Sequence, residues 1–203
     1  MESQHGQYVG DREVLPFHSG ATSPMCKLSN FYECVVEYEG VWYPSSEHAF
    51  QAQRVPAEMR EAMFGVHSEI GKLTPQAFEA VGVKKEKCES KKKFWGKKHM
   101  IGILAKMRIN RIPGDKKLHF DKEKVERVFK EILMAKYKSN TELKDILLAT
   151  EDKYLLEFTR SAFRKNLYEP PRWAGGVDKE TKKIVGENQM GALMMFVRDK
   201  LRL

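Results

Sequence analysis

The sequence predicts a helix-rich α+β fold in a single domain, with one small antiparallel hairpin or sheet. Three observations carry that prediction. Two β-rich runs, Phe31–Tyr38 and Val41–Tyr43, flank Glu39-Gly40, which is the local chemistry of a hairpin turn. Residues 122–138 and 188–202 place apolar side chains at helical spacing. The 203-residue length suits one domain and is enough to bury a core without disulfide or metal staples.

Taken in order, residues 1–12 read as a flexible polar tail and residues 13–203 as the folded domain. Val14–Phe17 is a short apolar piece, followed by a Gly/Ser/Thr/Pro loop from Ser19 to Pro24. Pro44 ends the hairpin, and Ser45 and Ser46 offer N-caps for a helix running to about Arg54. Pro56 opens a second helix and Thr74-Pro75 a third. Helices are expected over 95–109, 122–138 and 141–149, with Pro113-Gly114 breaking the chain between the first two. Tyr154–Phe158 reads as a strand, and a last helix runs from about Asn188 to Arg202. In that helix Met190, Leu193, Met194, Val197 and Leu201 form a core-facing stripe, packing rather than a cofactor box.

Cys26, Cys34 and Cys88 are an odd set at spacings that match no zinc pattern, so they read as reduced thiols in a reducing compartment. No apolar run approaches the ~18 residues a membrane helix needs, and Met1–Gly10 has no apolar signal core. The expected location is the cytoplasm, with no membrane partner. Nothing in the residues calls for a metal or cofactor.

The net charge is +8, from 36 basic and 28 acidic residues, and the isoelectric point is near 9.3. From Lys84 to Lys98, eight lysines face only Glu86 and Glu89, with Phe94 and Trp95 inside the cluster. Such a stretch is either a solvated lysine-rich helix or a track for phosphates with an aromatic to stack on a base.

Two residues stand out for chemistry. Glu47 follows Pro44-Ser45-Ser46, so it falls in the first turn of a helix, where unpaired N–H groups would keep a carboxylate ionised. There it would stabilise positive charge on a ribose ring or orient water, although acids are common in first turns without any such role. Lys136 falls near the middle of the apolar face made by Val125, Val128, Phe129, Ile132 and Leu133. An amine held there must snorkel, pair with an acid or lose its proton, and the last condition suits imine formation with a sugar. A lysine satisfying helix-end carbonyls is the alternative. His48 reads as hydrogen-bonded structure. Glu157, Arg160 and Arg164 would clamp phosphates or form an ion-pair network. Trp173 precedes Ala174-Gly175-Gly176, and Asn188 is expected to cap the last helix, whose N-terminus could receive a diphosphate.

These segments together resemble the NADAR (YbiA-like) family. The matching pieces are Leu28-Ser29-Asn30-Phe31, the run Tyr43-Pro44-Ser45-Ser46-Glu47-His48-Ala49-Phe50-Gln51-Ala52-Gln53, Ala135-Lys136-Tyr137, and Gly186-Glu187-Asn188-Gln189-Met190-Gly191 with Arg198. The resemblance implies an N-glycosidase. One branch of the family acts on riboflavin-pathway phosphoribosyl intermediates and another removes ADP-ribose from guanine, including in DNA. By resemblance, Glu47 does acid/base work, Lys136 is the candidate nucleophile, Trp95 is a stacking wall, and Asn30, Phe31 and Asn188 line the substrate.

The family's usual lysine after Q-A-Q is Arg54 here, which cannot form an imine. Phe120 competes with Trp95 for the family tryptophan position. The Trp173-Ala174-Gly175-Gly176 element after Glu157 and Arg160 resembles the ADP-ribose branch, and those residues join the expected substrate contacts. The expected reaction is hydrolysis of ADP-ribose from guanine in nucleic acid or nucleotide, with Lys84–Lys98 as a DNA contact. The alternatives are a riboflavin-pathway substrate and a non-catalytic ADP-ribose or NAD-binding module.

Overall fold

The computed structural model describes residues 8–84, 100–159, 171–178, 180–181 and 183–203. Among these, seven α-helices and several short strands give the expected α+β class. The chain forms two compact units, Asn30–Leu143 and Met1–Ser29 with Lys144–Leu203.

The Asn30–Leu143 unit begins with the expected hairpin, although its first strand is shorter than the apolar run. Strand β3 (Val36–Tyr38) pairs antiparallel with β4 (Val41–Tyr43) in the register Val36↔Tyr43 and Tyr38↔Val41. Glu39 (φ 50°) and Gly40 (φ 76°) both take the left-handed region, the geometry whose twist matches two paired strands. Helix α1 (Ser46–Ala52) follows at once. Ser45 is its N-cap, accepting from the His48 N–H, and all seven of its residues are buried. A short helix hidden on every side is a core element rather than an amphipathic surface piece.

Around α1 lie α2 (Ala57–Phe64) and α3 (Pro75–Ala80). Pro56 occupies the N-cap position of α2, while α3 starts with Pro75 at its first position and Thr74 as cap. Helix α4 covers Gly102–Arg111; the part of its expected range before residue 100 lies outside the described residues. Helix α5 (Lys122–Ser139) is capped by Asp121 Oδ1, which accepts from the Lys124 N–H at 2.7 Å. It buries Val128, Phe129, Ile132, Leu133, Lys136 and Tyr137 on one face. Phe129 stacks on Phe50 of α1 at 3.7 Å between ring centroids. Helix α6 (Thr141–Leu148) carries the chain from one unit to the other.

In the second unit, β2 (Arg12–Phe17) is flanked by β1 (Tyr8–Val9) and β5 (Tyr154–Glu157). Tyr8 and Val9, within the segment expected as a tail, pair antiparallel with Glu13 and Arg12. The β2–β5 pair is parallel, from Val14↔Tyr154 to Phe17↔Glu157. Its two strands come from distant parts of the chain, and local periodicity says nothing about their pairing. Strands β6 (Gly176–Val177) and β7 (Ile184–Val185) form a further pair that sequence reading missed. Each is only two residues long, below the length at which alternation is visible. Asp178 Oδ1 accepts from the N–H groups of Glu180 and Thr181, a side-chain-made turn.

Val14, Leu156 and Val177 form an apolar cluster with Val9, Tyr154 and Ile184 packed against it. Helix α7 (Gln189–Leu201) lies on β5 and buries Met190, Leu193, Met194 and Val197, so the methionine stripe is packing. No helix among the described residues is long and apolar enough to cross a membrane.

Candidate functional site

The start of α1 is fixed by three donor–acceptor pairs. The Ser46 N–H donates to Cys34 Sγ, the Glu47 N–H to the Asn30 carbonyl at 3.2 Å, and the His48 N–H to Ser45 Oγ at 3.2 Å. One residue along, the Phe31 carbonyl accepts from the N–H of Gly102 at 3.0 Å, at the first turn of α4. The dipeptide Asn30-Phe31 thus holds two helix starts with consecutive carbonyls. Gly102 makes this approach possible: a Cβ there would sit 2.6 Å from Phe31 Cα and 3.0 Å from Glu47 Cβ.

This geometry corrects the expected state of Glu47. Its first-turn N–H neighbours are occupied by Cys34, Asn30 and Ser45, so they do not stabilise a carboxylate. The side chain is 6% exposed, and burial raises its proton affinity above the usual carboxylate range. The Gln51 hydrogen bond, then Lys106 and Arg54, oppose that rise. Gln51 Nε2 donates to Glu47 Oε1 at 2.8 Å, and Arg54 Nη1 donates to Gln51 Oε1 at 3.2 Å. Lys106 Nζ stands 6.0 Å from the centroid of the Phe31 ring. Asn30, Phe31, Glu47 and Arg54, expected together, do meet here.

His48 has the structural role expected of it. Nε2 lies 3.0 Å from the Ile70 carbonyl, which only accepts, so Nε2 carries the proton. Nδ1 then accepts from Ser45 Oγ at 2.8 Å. Burial lowers its pKa to about 4, partly opposed by the Ile70 hydrogen bond.

Lys136 is buried on the apolar face of α5 as expected, with 0% exposure. Its Nζ lies 5.2 Å from the centroid of the Tyr137 ring. Nearby Cys34 is held above the ordinary thiol range by burial, against a lowering effect of Lys136. Tyr137 is pushed well above its ordinary value by burial and by Cys34. Phe120 lines a cavity of about 370 Å³ with Tyr38, Gln53 and Arg127, and Lys124 Nζ sits 4.1 Å over its ring. Trp95, Arg160, Arg164, Cys88 and Lys85–Lys98 lie outside the described residues.

The remaining expected contacts fall in the second unit. Glu157 ends β5, and its N–H donates to Asn188 Oδ1 at 2.9 Å. Asn188 is not the cap it was expected to be. It takes the left-handed conformation (φ 51°) without a side-chain capping bond, and its Nδ2 donates to the Leu155 carbonyl at 2.8 Å. The Asn188 amide therefore fastens β5. Nor is the start of α7 open to a diphosphate as expected: the N–H groups of Gln189 and Met190 donate to the carbonyls of Arg172 and Trp173. Gly175 exchanges backbone bonds with Glu157 and Thr159, and a Cβ on it would lie 2.7 Å from the Val185 carbonyl. Trp173 has the Arg172 guanidinium 5.0 Å from its ring centroid.

Sequence reading missed Gln51, Gly102 and Lys106. Gln51 had a signal, since it falls four residues after Glu47, one helical turn on. Gly102 and Lys106 had none, because their importance arises only where α4 meets residues 30–31. Among the described residues, no three His, Cys, Asp or Glu side chains gather as a metal-binding group.

A buried carboxyl that favours its proton, braced by an amide and approached by two basic side chains, has the form of a general acid. The chain belongs to the NADAR family: the NADAR domain model matches residues 16–202. It is similar to N-glycosidase YbiA of Shigella boydii serotype 4 (strain Sb227), 26% identical over 205 residues, which span 100% of this chain and 98% of the relative. N-glycosidase YbiA of Escherichia coli (strain K12) is 25% identical over the same span. The NMR structure of Escherichia coli YbiA shares the fold, with a TM-score of 0.54 at 22% identity, covering 98% of this chain and 90% of that one.

Proposed function

We propose that this chain is an N-glycosidase that hydrolyses ADP-ribose from guanine, with Glu47 as the acid. The observation that carries the reading is the Glu47 carboxyl itself, buried in the first turn of α1, held toward its protonated form, with Arg54 and Lys106 acting on it. The bond from the anomeric carbon to the guanine nitrogen breaks with both electrons passing to nitrogen. A proton from Glu47 neutralises that nitrogen, water adds to the oxocarbenium-like carbon, and the water's proton returns to the carboxylate. Arg54 and Lys106 supply positive charge for a diphosphate. The family membership, the YbiA relatives and the basic isoelectric point near 9.3 support a phosphate-rich glycoside as substrate.

Lys136, the nucleophile implied by resemblance, is fully buried, so this reading uses direct attack by water. Borohydride reduction during turnover tests the choice: a sugar adduct trapped on Lys136 would replace water attack with an imine route.

The decisive assay incubates the protein with DNA carrying guanine-linked ADP-ribose, beside a riboflavin-pathway phosphoribosyl intermediate, and measures released sugar phosphate by chromatography. Release from the guanine substrate is expected, reduced on the order of 10²–10⁴-fold in Glu47→Gln. Undiminished turnover by that variant would remove Glu47 from the mechanism. Turnover of the riboflavin intermediate alone would move the substrate assignment to that branch, and binding of ADP-ribose without turnover of either would refute an enzyme.

A further inference from the structure

Glu47 and Gln51 lie one turn apart on α1, and with Arg54, just past the helix's C-cap Gln53, they form a chain of two hydrogen bonds. Gln51 Nε2 donates to Glu47 Oε1 at 2.8 Å while Gln51 Oε1 accepts from Arg54 Nη1 at 3.2 Å. The orientation of an amide is assigned from its partners, and here both ends agree. A flipped amide would set its NH₂ group against a guanidinium, losing the bond from Arg54, and could no longer donate to Oε1. Gln51 is itself 5% exposed, so water is a poor substitute for either partner. An amide fixed at its far end by a guanidinium presents its N–H to the carboxyl in one direction only.

We propose that Gln51 is a positioning residue for Glu47: clamped by Arg54, its amide pins Oε1 as an acceptor and leaves Oε2 as the oxygen that carries and delivers the proton. This rests on the N-glycosidase reading for its catalytic meaning, but the assignment of the proton-bearing oxygen is a statement about the free protein. The reason is elementary. An oxygen already accepting a short N–H···O bond is the poorer site for a proton, so the neutral carboxyl holds its hydrogen on the other oxygen. The charged groups acting on this carboxyl among the described residues are Lys106 from α4 and Arg54 from the turn after α1. Both favour the ionised form, as does the Gln51 bond. Burial opposes all three and prevails, leaving a carboxyl of raised proton affinity oriented for release from a single atom.

The test uses Gln51→Met, which keeps length and apolar bulk while removing donor and acceptor, and Arg54→Met, which removes the clamp together with the guanidinium charge. Glutamate side chains are labelled with ¹³C at the carboxyl carbon, and the Glu47 resonance is assigned by its loss in Glu47→Gln. The Glu47 titration midpoint is expected to rise by about one pH unit in Gln51→Met, the size of a hydrogen bond to a charged group, and by less in Arg54→Met. On the guanine-linked substrate, kcat of Gln51→Met falls at least about tenfold with KM little changed, and the alkaline limb of its pH profile moves up with the carboxyl midpoint. An unmoved midpoint and unmoved alkaline limb in Gln51→Met, with active wild-type protein, would overturn the proposal. If wild-type protein releases no sugar, the N-glycosidase reading fails while the carboxyl titration still decides the Gln51 role. Should Gln51→Met not fold, an unmoved midpoint in Arg54→Met overturns the clamp.

Discussion

Protonation of His48 should unfold this protein from the inside. The imidazole is fully buried, its Nε2–H donates to Ile70 and its Nδ1 accepts from Ser45. A second proton on Nδ1 would meet the Ser45 hydroxyl hydrogen, and the charge would have no water. Burial holds the pKa at about 4, against an ordinary value of 6.5. Because the folded value is the lower one, the stabilisation is fully present above 6.5. It is lost as pH falls from about 6.5 to about 4, where the unfolded chain takes up a proton that the folded one refuses. The gap corresponds to about 3 kcal/mol by pH 4, a large fraction of the 5–15 kcal/mol typical of a whole protein.

The assay is urea unfolding of wild type and His48→Gln at half-unit intervals from pH 8 to pH 4. Glutamine keeps an N–H for Ile70 but cannot titrate, so the variant starts less stable and loses about 3 kcal/mol less than wild type across that window. Carboxylates contribute equally to both and cancel. Parallel curves, or an imidazole ¹⁵N titration of folded wild type centred near 6.5, would refute the argument.

Three further predictions concern the site and its support. Gly102→Ala drives a methyl into the Phe31 backbone and against Glu47, so it should cost about 1–3 kcal/mol in urea unfolding and about 100-fold in turnover through displacement of the acid. Arg198, 2% exposed, donates from Nη1 to Thr150 Oγ1 at 3.0 Å and to the Lys153 carbonyl at 2.9 Å. Arg198→Met strands both acceptors and should lower stability by about 1–3 kcal/mol while leaving the Glu47 ¹³C midpoint in place. Since burial raises the Glu47 proton affinity, its contribution to folding is complete below the ordinary carboxylate pKa and lost as pH rises through the folded value. Turnover should decline over the same alkaline window in a pH–rate series, and a profile still climbing there would contradict a proton-donating Glu47.

Local chemistry made much of the fold legible. Glu39-Gly40 announced the hairpin because a turn needs only its own residues, and α5 announced itself because one apolar face repeats over 18 residues. The same wheel placed Lys136 inside before any contact was known. What stayed hidden depends on partners distant in sequence. The parallel match of Val14 with Tyr154 leaves no trace in either segment. Glu47 was readable as a first-turn acid, but not as one of raised proton affinity, because its burial arises where Gly102 and Phe31 close on it. Asn188 was misread for a related reason: its type favours caps, but a left-handed backbone turns its amide onto β5.

The Asn30-Phe31 dipeptide carries a mechanical consequence. With adjacent carbonyls it moors the first turns of both α1 and α4, so neither helix start can slide without tugging the other. A ligand pressing on the Phe31 ring would therefore be felt at the acid through one peptide plane, and sensing and proton delivery share a single mooring.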